Sequence, residues 1–396
     1  MKIAIISFGH EGSSLPLGKA LAQCGHNVDF YFDVHFGCKH SIEGTDIKIS
    51  ALNGLLGNVP NETFFSLSSW LDTDTFQLKY VNTFGEAKSK PILTPLFTLA
   101  RKIQIRYICK ELNALKYDVV YMVGRYIETD DIVTYSKYLK TKIVVGLHEV
   151  CNHFTPDFRN PSSVLRYLFN NNINIVVFSY NTYCDIKKYK DCNPANISLI
   201  HFGTFDTYRT CKVNNEFSLP KKYILYIGTI NPYKGLPILV DAVEKIDTLD
   251  GWNFVIAGNG KDECLNKVKS NNRFLLINRF LENSEIAELL SSASVVVCPY
   301  VTMSQSGIPQ TAFAFGVPII ASNLDGFKEV IVNGENGLFF EAGNTQSLCE
   351  QLEKIMKDQE LLNILKEGAS KFNSLHKHYS WNYIAQQYEK IFVECK

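Results

Sequence analysis

The feature that most constrains this chain is a recurring alternation. Short uninterrupted Val/Ile/Leu-rich runs are separated by stretches of helical periodicity. In the first half the runs are 2–7, 27–34, 118–123, 142–147, 173–178 and 197–201; in the second they are 223–228, 253–257, 274–277, 295–298 and 318–321. A strand apolar at every position is covered on both faces, and strands separated by helices pair in parallel, so the pattern predicts a doubly wound α/β protein. A length of 396 residues suits two such domains. The polar, aperiodic stretch 209–222 precedes a new strand and reads as the linker. That gives an N-terminal Rossmann-like domain over 1–208 and a C-terminal one over 223–379. The tail 380–396 has Trp381, Ile384, Ala385, Tyr388, Ile391 and Phe392 at helical spacing behind a plausible cap, Ser380, and is predicted to form a helix packed back on the first domain.

Composition removes several classes of function. Lys plus Arg equals Asp plus Glu at 40 each, so the strong basic field that nucleic-acid binding needs is missing. Eleven cysteines are scattered with no C-x-x-C pair, which fits a reducing compartment and argues against a zinc site. The first residues run straight into a strand without the pattern of a signal peptide, and no apolar run reaches the length of a membrane span. A cytoplasmic location is expected. Arg101, Lys102, Arg106 and Lys110 read as one basic helical face. Two readings stay open for it: a solvated surface, the more common case, or contact with anionic lipid at the inner membrane face.

Four segments of the second half follow predicted strands, where an open parallel sheet binds ligands. Gly228-Thr229 leads through Lys234 into a helix, and an ammonium near a glycine turn suits phosphate. Gly258 and Gly260 end the next strand. Arg279-Phe280-Leu281 follows the third. Ser304-Gln305-Ser306-Gly307-Ile308 opens a helix that carries Thr311, and a loop of small polar residues offers backbone N–H groups to an anion. Asp72-Thr73-Asp74 has the form of a metal-binding D-x-D but falls in a loop-like stretch and reads as a surface turn.

The series G-T-I-N-P-Y-K-G-L, I-A-G-N-G, N-R-F-L-E-N-S-E-I-A-E-L-L, S-Q-S-G-I-P, F-G-V-P-I-I-A-S and V-N-G-E-N-G-L-F-F resembles glycosyltransferase family 4, the retaining nucleotide-sugar enzymes of GT-B fold. The resemblance is specific over 223–340 and looser before. It implies two Rossmann-like domains with a cleft between them, the C-terminal one holding a nucleotide diphosphate sugar and the N-terminal one a hydroxyl acceptor, a glycan or lipid-linked intermediate. It implies that Lys234 binds the diphosphate, that Arg279–Leu281 lies at the base, that the 304–308 loop meets phosphates and sugar, that His148 lies near the donor sugar, and that Gly9-His10-Glu11-Gly12 closes over the donor.

The chain departs from the family's pattern in two places. The usual glutamate pair would fall near Met303 and Thr311, and the usual arginine at Thr229. The S-Q-S-G form resembles a subgroup with the same substitution. Catalysis without a metal is expected, with Lys234 and backbone amides neutralising the leaving diphosphate. A nucleotide-sugar epimerase of similar fold, or a catalytically silent partner subunit, are the alternatives.

Overall fold

The computed structural model describes residues 1–394 except 50–51, 61, 64–66, 72–73, 86–93, 125–129, 152–156 and 304. Ser304 and the Asp72-Thr73 pair thus lie outside the described residues. The chain divides into two compact units, Met1–Gly203 with His378–Lys396, and Thr204–Lys377. The stretch 209–222, which reads as a linker in sequence, lies within the second unit. There the backbone N–H groups of Glu216 and Phe217 donate to the Glu288 carboxylate at 3.0 and 2.9 Å, and Cys211 is buried.

In the first unit the strands are β1 (Lys2–Phe8), β2 (Asn27–His35), β3 (His40–Ser41), β4 (Lys48–Ile49), β5 (Leu56–Asn58), β6 (Phe76–Thr83), β7 (Val119–Gly124), β8 (Lys142–Leu147), β9 (Asn174–Val177) and β10 (Ile197–Leu199). All but β3 and β4 form one sheet in the order β10-β9-β8-β7-β1-β2-β6-β5. Its pairs are parallel except for β5, which runs antiparallel to β6. The second unit holds β11 (Tyr223–Ile227), β12 (Asn253–Ala257), β13 (Phe274–Ile277), β14 (Val295–Cys298), β15 (Ile319–Ser322) and β16 (Gly337–Phe340). These are ordered β13-β12-β11-β14-β15-β16, every pair parallel. The expected α/β class with parallel sheets is therefore observed, and β5, β6 and β16 extend it beyond the apolar runs of the sequence. Each sheet is buried on both faces: Ile3 to Ile6 of β1 and Val295 to Cys298 of β14 are all in the core.

Strand order reverses beside β1 in the first unit, where β2 lies on one side and β7 on the other. It reverses beside β11 in the second, between β12 and β14. At such a switch point the loops leave the sheet in opposite directions and open a crevice at the carboxyl ends of the strands. The predicted site residues follow β1 and β8 in one unit, and β11, β12, β13 and β14 in the other.

The closing helix, Trp381–Glu394, belongs to the first unit. Its Tyr388 hydroxyl lies 2.9 Å from that of Tyr121 on β7, and Phe392 is packed beside the same ring. Ser380 caps it: the Tyr383 N–H donates to the Ser380 hydroxyl at 3.4 Å.

One reading of the basic helix needs correction. Thr94–Ala114 is helical, but Arg101 does not share the solvent face with Lys102, Arg106 and Lys110. It turns inward to pair with Asp33 at the end of β2, at 3.3 Å, and with Asp131. At about 100° per residue, position 101 falls with Ile105, Ile108 and Leu112 on the buried side. Burial raises both carboxyls to about 6, against the opposing pull of Arg101.

Deleting residues 380–396 bares the surface under Tyr388 and Phe392 and is expected to lower the melting temperature and produce aggregates; an unchanged melting curve would count against a docked helix. Arg101→Gln leaves two carboxyls buried without their cation and is expected to cost about 3–5 kcal/mol at pH 7.5. The sign follows from carboxyls whose folded pKa stands above the unfolded one: they keep their protons in the fold below about pH 6, so the cost should shrink toward pH 5. Urea unfolding at the two pH values checks this, and a loss that grows on acidification would refute it.

Candidate functional site

The second unit's site is built on two strand-end loops that cross closely. Gly228 ends β11 with φ +123°, and Gly258 ends β12 with φ +147°. A Cβ on Gly258 would overlap the Gly228 carbonyl oxygen. Gly258 is thus demanded by backbone against backbone, whereas its place in the sequence suggests room for a ligand. The Gly228 N–H donates to the Ala257 carbonyl at 3.0 Å. Gly260 is clasped by Asn278, its N–H donating to Oδ1 and its carbonyl accepting from Nδ2, each at 3.2 Å.

Beyond Gly228 the chain makes a short 3-10 turn, Pro232–Lys234, and enters the helix Leu236–Lys245 through Gly235. This turn folds the Lys234 side chain back under the loop. A Cβ on Gly228 would stand 2.8 Å from Lys234 Nζ, so the glycine makes room for the ammonium. Burial holds the Lys234 pKa below the usual lysine value, with the Cys298 thiol pulling the other way. The nitrogen lies 5.5 Å from the centre of the Tyr300 ring. Among the described residues no carboxylate stands within ion-pair distance of it. A cation partly withdrawn from water without a counter-charge is favoured further when an anion arrives.

Arg279, by contrast, is committed. Two of its guanidinium nitrogens bond the Glu285 carboxylate, one at 2.7 Å, and the group lies 5.7 Å from the Phe217 ring. The Arg279 hydrogen bond holds the Glu285 carboxyl below the usual glutamate range. Glu285 also closes a capping box with Glu282 on the helix Asn283–Ser292. This fixes the turn that presents Phe280, which is 79% exposed.

A pocket of about 190 Å³ brings together Gly228, Thr229, Gly258, Phe280, Leu281, Ile308 and Thr311 of the expected residues. Tyr208, Ile227, Asn259, Ile286 and Leu290 complete its lining and were missed from the sequence. Asn259 stands between the two glycines of a motif already singled out; Ile286 and Leu290 carry only the ordinary signal of a helix's apolar face. Of the last loop, Gln305, Ser306, Gly307 and Ile308 are described and Ser304 is not. The Ile308 N–H donates to the Ser306 hydroxyl at 3.3 Å and the Thr311 hydroxyl donates to the Gly307 carbonyl at 2.8 Å. The Phe205 ring lies 2.8 Å from where a Gly307 Cβ would stand, so that glycine too is required by packing.

In the first unit, Gly9 turns the chain at φ +95° after β1. His10 then stacks on His148 with ring centres 3.4 Å apart. His148, from the end of β8, is packed against Phe178 and Phe202 at 4.6 and 5.1 Å. Glu11 accepts from or pairs with His40 Nε2 at 3.2 Å; burial disfavours the charged imidazole, but Glu11 raises its pKa on balance. Gly12 leaves room for the Glu43 side chain, 3.4 Å from its absent Cβ. The Gly9–Gly12 loop and His148 are therefore brought together. Among the described residues no three His, Cys, Asp or Glu side chains cluster as metal ligands do.

Residues 209–372 match the family described as Glycosyl transferases group 1. The match takes in Lys234, the pocket from Ile227 onward and the 304–308 loop. An uncharacterized glycosyltransferase of Methanocaldococcus jannaschii is 29% identical over 174 residues, 43% of this chain and 47% of the relative. The phosphatidyl-myo-inositol mannosyltransferase of Mycobacterium leprae is 27% identical over 179 residues, 43% of this chain and 46% of the relative. The chain thus spans about half the length of these curated relatives. Among solved structures, HepE of Anabaena in complex with UDP-glucose superposes with a TM-score of 0.64 at 14% identity, covering 100% of each chain. The fold is GT-B.

The Gly228–Gly258 crossing yields a test of the site's frame. Gly258→Ala adds a Cβ where a carbonyl oxygen already stands and is expected to destabilise by roughly 2–6 kcal/mol, strain and overpacking together. Chemical unfolding measures it, and a loss under about 1 kcal/mol would mean that the two loops are not held at this distance.

Proposed function

We propose that the protein is a retaining glycosyltransferase that moves a hexose from a nucleotide diphosphate sugar to a hydroxyl of a lipid-linked or surface-polysaccharide intermediate. The observation that carries this is Lys234, a half-buried ammonium without a carboxylate partner among the described residues, standing at the β11 switch point beside Gly228 of the pocket. Such a cation is preorganised for the charge that develops on a departing diphosphate.

The pocket walled by Leu281, Ile286, Leu290 and Thr311 takes the base and ribose, and Phe280 offers an aromatic face at its mouth. The acceptor oxygen bonds to the sugar's anomeric carbon as the bond from that carbon to the diphosphate oxygen breaks. The acceptor's proton passes to the departing diphosphate, and attack on the face from which it leaves retains configuration. Lys234 holds the diphosphate; His148, fixed by the His10, Phe178 and Phe202 rings, bonds the sugar, as the family resemblance implies. Neutralisation by an ammonium and amides makes this transfer independent of a metal ion, and no cofactor beyond the donor is called for. The named relatives support a glycosyl donor, and the mannosyltransferase a lipid acceptor. In this reading the reaction belongs to the cytoplasm or the inner membrane face.

The test begins with melting-temperature shifts against UDP, GDP, ADP and their sugars, followed by product analysis with and without acceptor. Saturable stabilisation by one nucleotide and a new glycoside are expected. An isomerised sugar formed without acceptor would replace this reading by an epimerase, and no nucleotide binding would replace it by a silent subunit. Lys234→Ala is expected to lower kcat by roughly 100–1000-fold with the fold intact, and EDTA to leave turnover unchanged. Near-normal transfer by the variant would remove Lys234 from the diphosphate, and loss with EDTA restored by added metal would assign its neutralisation to an ion.

A further inference from the structure

The basic helix, Thr94–Ala114, carries an unpartnered face. Leu96, Leu99, Ile103 and Tyr107 are 64, 57, 50 and 60% exposed. At about 100° per residue they fall within about 80° of one another and form a single ridge along the helix. Large apolar side chains scattered singly need no explanation, but four in a row do. Lys102, Arg106 and Lys110 run along one flank of the ridge, and Glu111 stands on the other. The inward face is anchored by Arg101 on Asp33 and Asp131, so the ridge cannot roll inward.

The cationic flank opens into a groove of about 790 Å³ whose wall includes Arg106, Tyr107, Lys110, Tyr138 and Lys140. The Arg106 guanidinium lies 5.4 Å from the Tyr138 ring. Among the described residues, Lys102, Arg106, Lys110 and Lys140 pair with no carboxylate. At the other end, where the helix leaves the carboxyl edge of the sheet, the Phe36, Phe84 and Phe97 rings follow one another at 5.6 and 5.8 Å. Phe36 and Phe84 are themselves 37 and 39% exposed.

An apolar ridge beside a row of free cations fits a surface that is anionic outside and apolar just beneath. We propose that this face docks on an anionic lipid bilayer, with Leu96, Leu99, Ile103 and Tyr107 entering between headgroups, and Lys102, Arg106, Lys110 and Lys140 against lipid phosphates. A second copy of the chain is a poorer occupant. A twofold contact would bring the same cationic flank near its like, and one helical ridge falls well short of the roughly 20–30 residues that each side of a stable interface supplies. The inference stands on this surface alone, so it holds or fails separately from the proposed transfer.

The test is cosedimentation of the full chain with vesicles of phosphatidylcholine, with and without phosphatidylglycerol. Binding is expected only to the phosphatidylglycerol vesicles, and should weaken strongly near about 1 M salt, where screening acts within about 3 Å. R106Q/K110Q/K140Q is expected to lower the partition coefficient by roughly 100-fold, from about fivefold per charge. L99S/I103S should lower it on the same vesicles while the salt dependence persists. All five positions lie on the helix's outer side or the groove wall, and unchanged melting temperatures would separate loss of binding from loss of fold. No binding to either vesicle, equal binding to both, or full binding by the triple variant would overturn the proposal. So would a dimer abolished by L99S/I103S in a chain that ignores vesicles.

Discussion

Parallel pairing is the constraint on which the rest depends. Strands that run in one direction must each be reached by a crossover from the far end of the previous one, so every loop leaving a carboxyl end is delivered to the same edge of the sheet. In the second unit this gathers the ends of β11, β12, β13 and β14, whose loops supply Gly228, Gly258, Phe280 and Ile308 to a single pocket. The site is therefore less a set of motifs than the place where unrelated stretches of chain have to meet. How closely they meet is set by backbone atoms, with no side chain between Gly228 and Gly258.

Two cations near that edge carry the same formal charge and are held in opposite ways. Arg279 commits its planar fork to Glu285 and stiffens a turn; Lys234 is half-buried and left without a carboxylate among the described residues. The difference is one of partners, so residue type alone does not separate them. It arises because Glu285 sits six positions along on the helix that follows Arg279, whereas the short turn at Pro232–Lys234 sends its lysine under a glycine, toward a thiol and a tyrosine ring.

The sheets were legible in the sequence where burial on both faces erased all polarity, as in β1, β8 and β14. β6 escaped because it breaks that rule: Gln77 faces solvent, Lys79 reaches Asp29 at 2.8 Å, and the Asn82 amide bonds the carbonyls of Leu52 and Gly54. Polar groups satisfied by distant partners look, in one dimension, like a loop. β16 reads Gly-Leu-Phe-Phe and β5 Leu-Gly-Asn, and neither is the run of Val, Ile and Leu that marks the equally short β14. The same blindness misplaced Arg101, since nothing in a row of basic residues says that Asp33 and Asp131 converge beneath one of them. In the pocket, the glycines, Lys234 and the turn at Phe280 could be found because they break local pattern. Tyr208, Ile286 and Leu290 could not, because their sequence surroundings are those of any packed segment.

The first unit is discontinuous: its chain breaks off at Gly203 and resumes at His378. During synthesis, all of the second unit emerges before the helix that lies over Tyr121 exists. At roughly 5–20 residues per second, the intervening stretch Thr204–Lys377 holds the first unit open for about 9–35 s. In that interval the floor later covered by Tyr388 and Phe392 faces the ribosome's surroundings, while the second unit, continuous in the chain, is synthesised whole. The order of completion is thereby inverted, and the half that starts first finishes last. A nascent chain stalled short of its closing helix would carry a finished second unit and an unfinished first one, a state in which chaperones have something to hold.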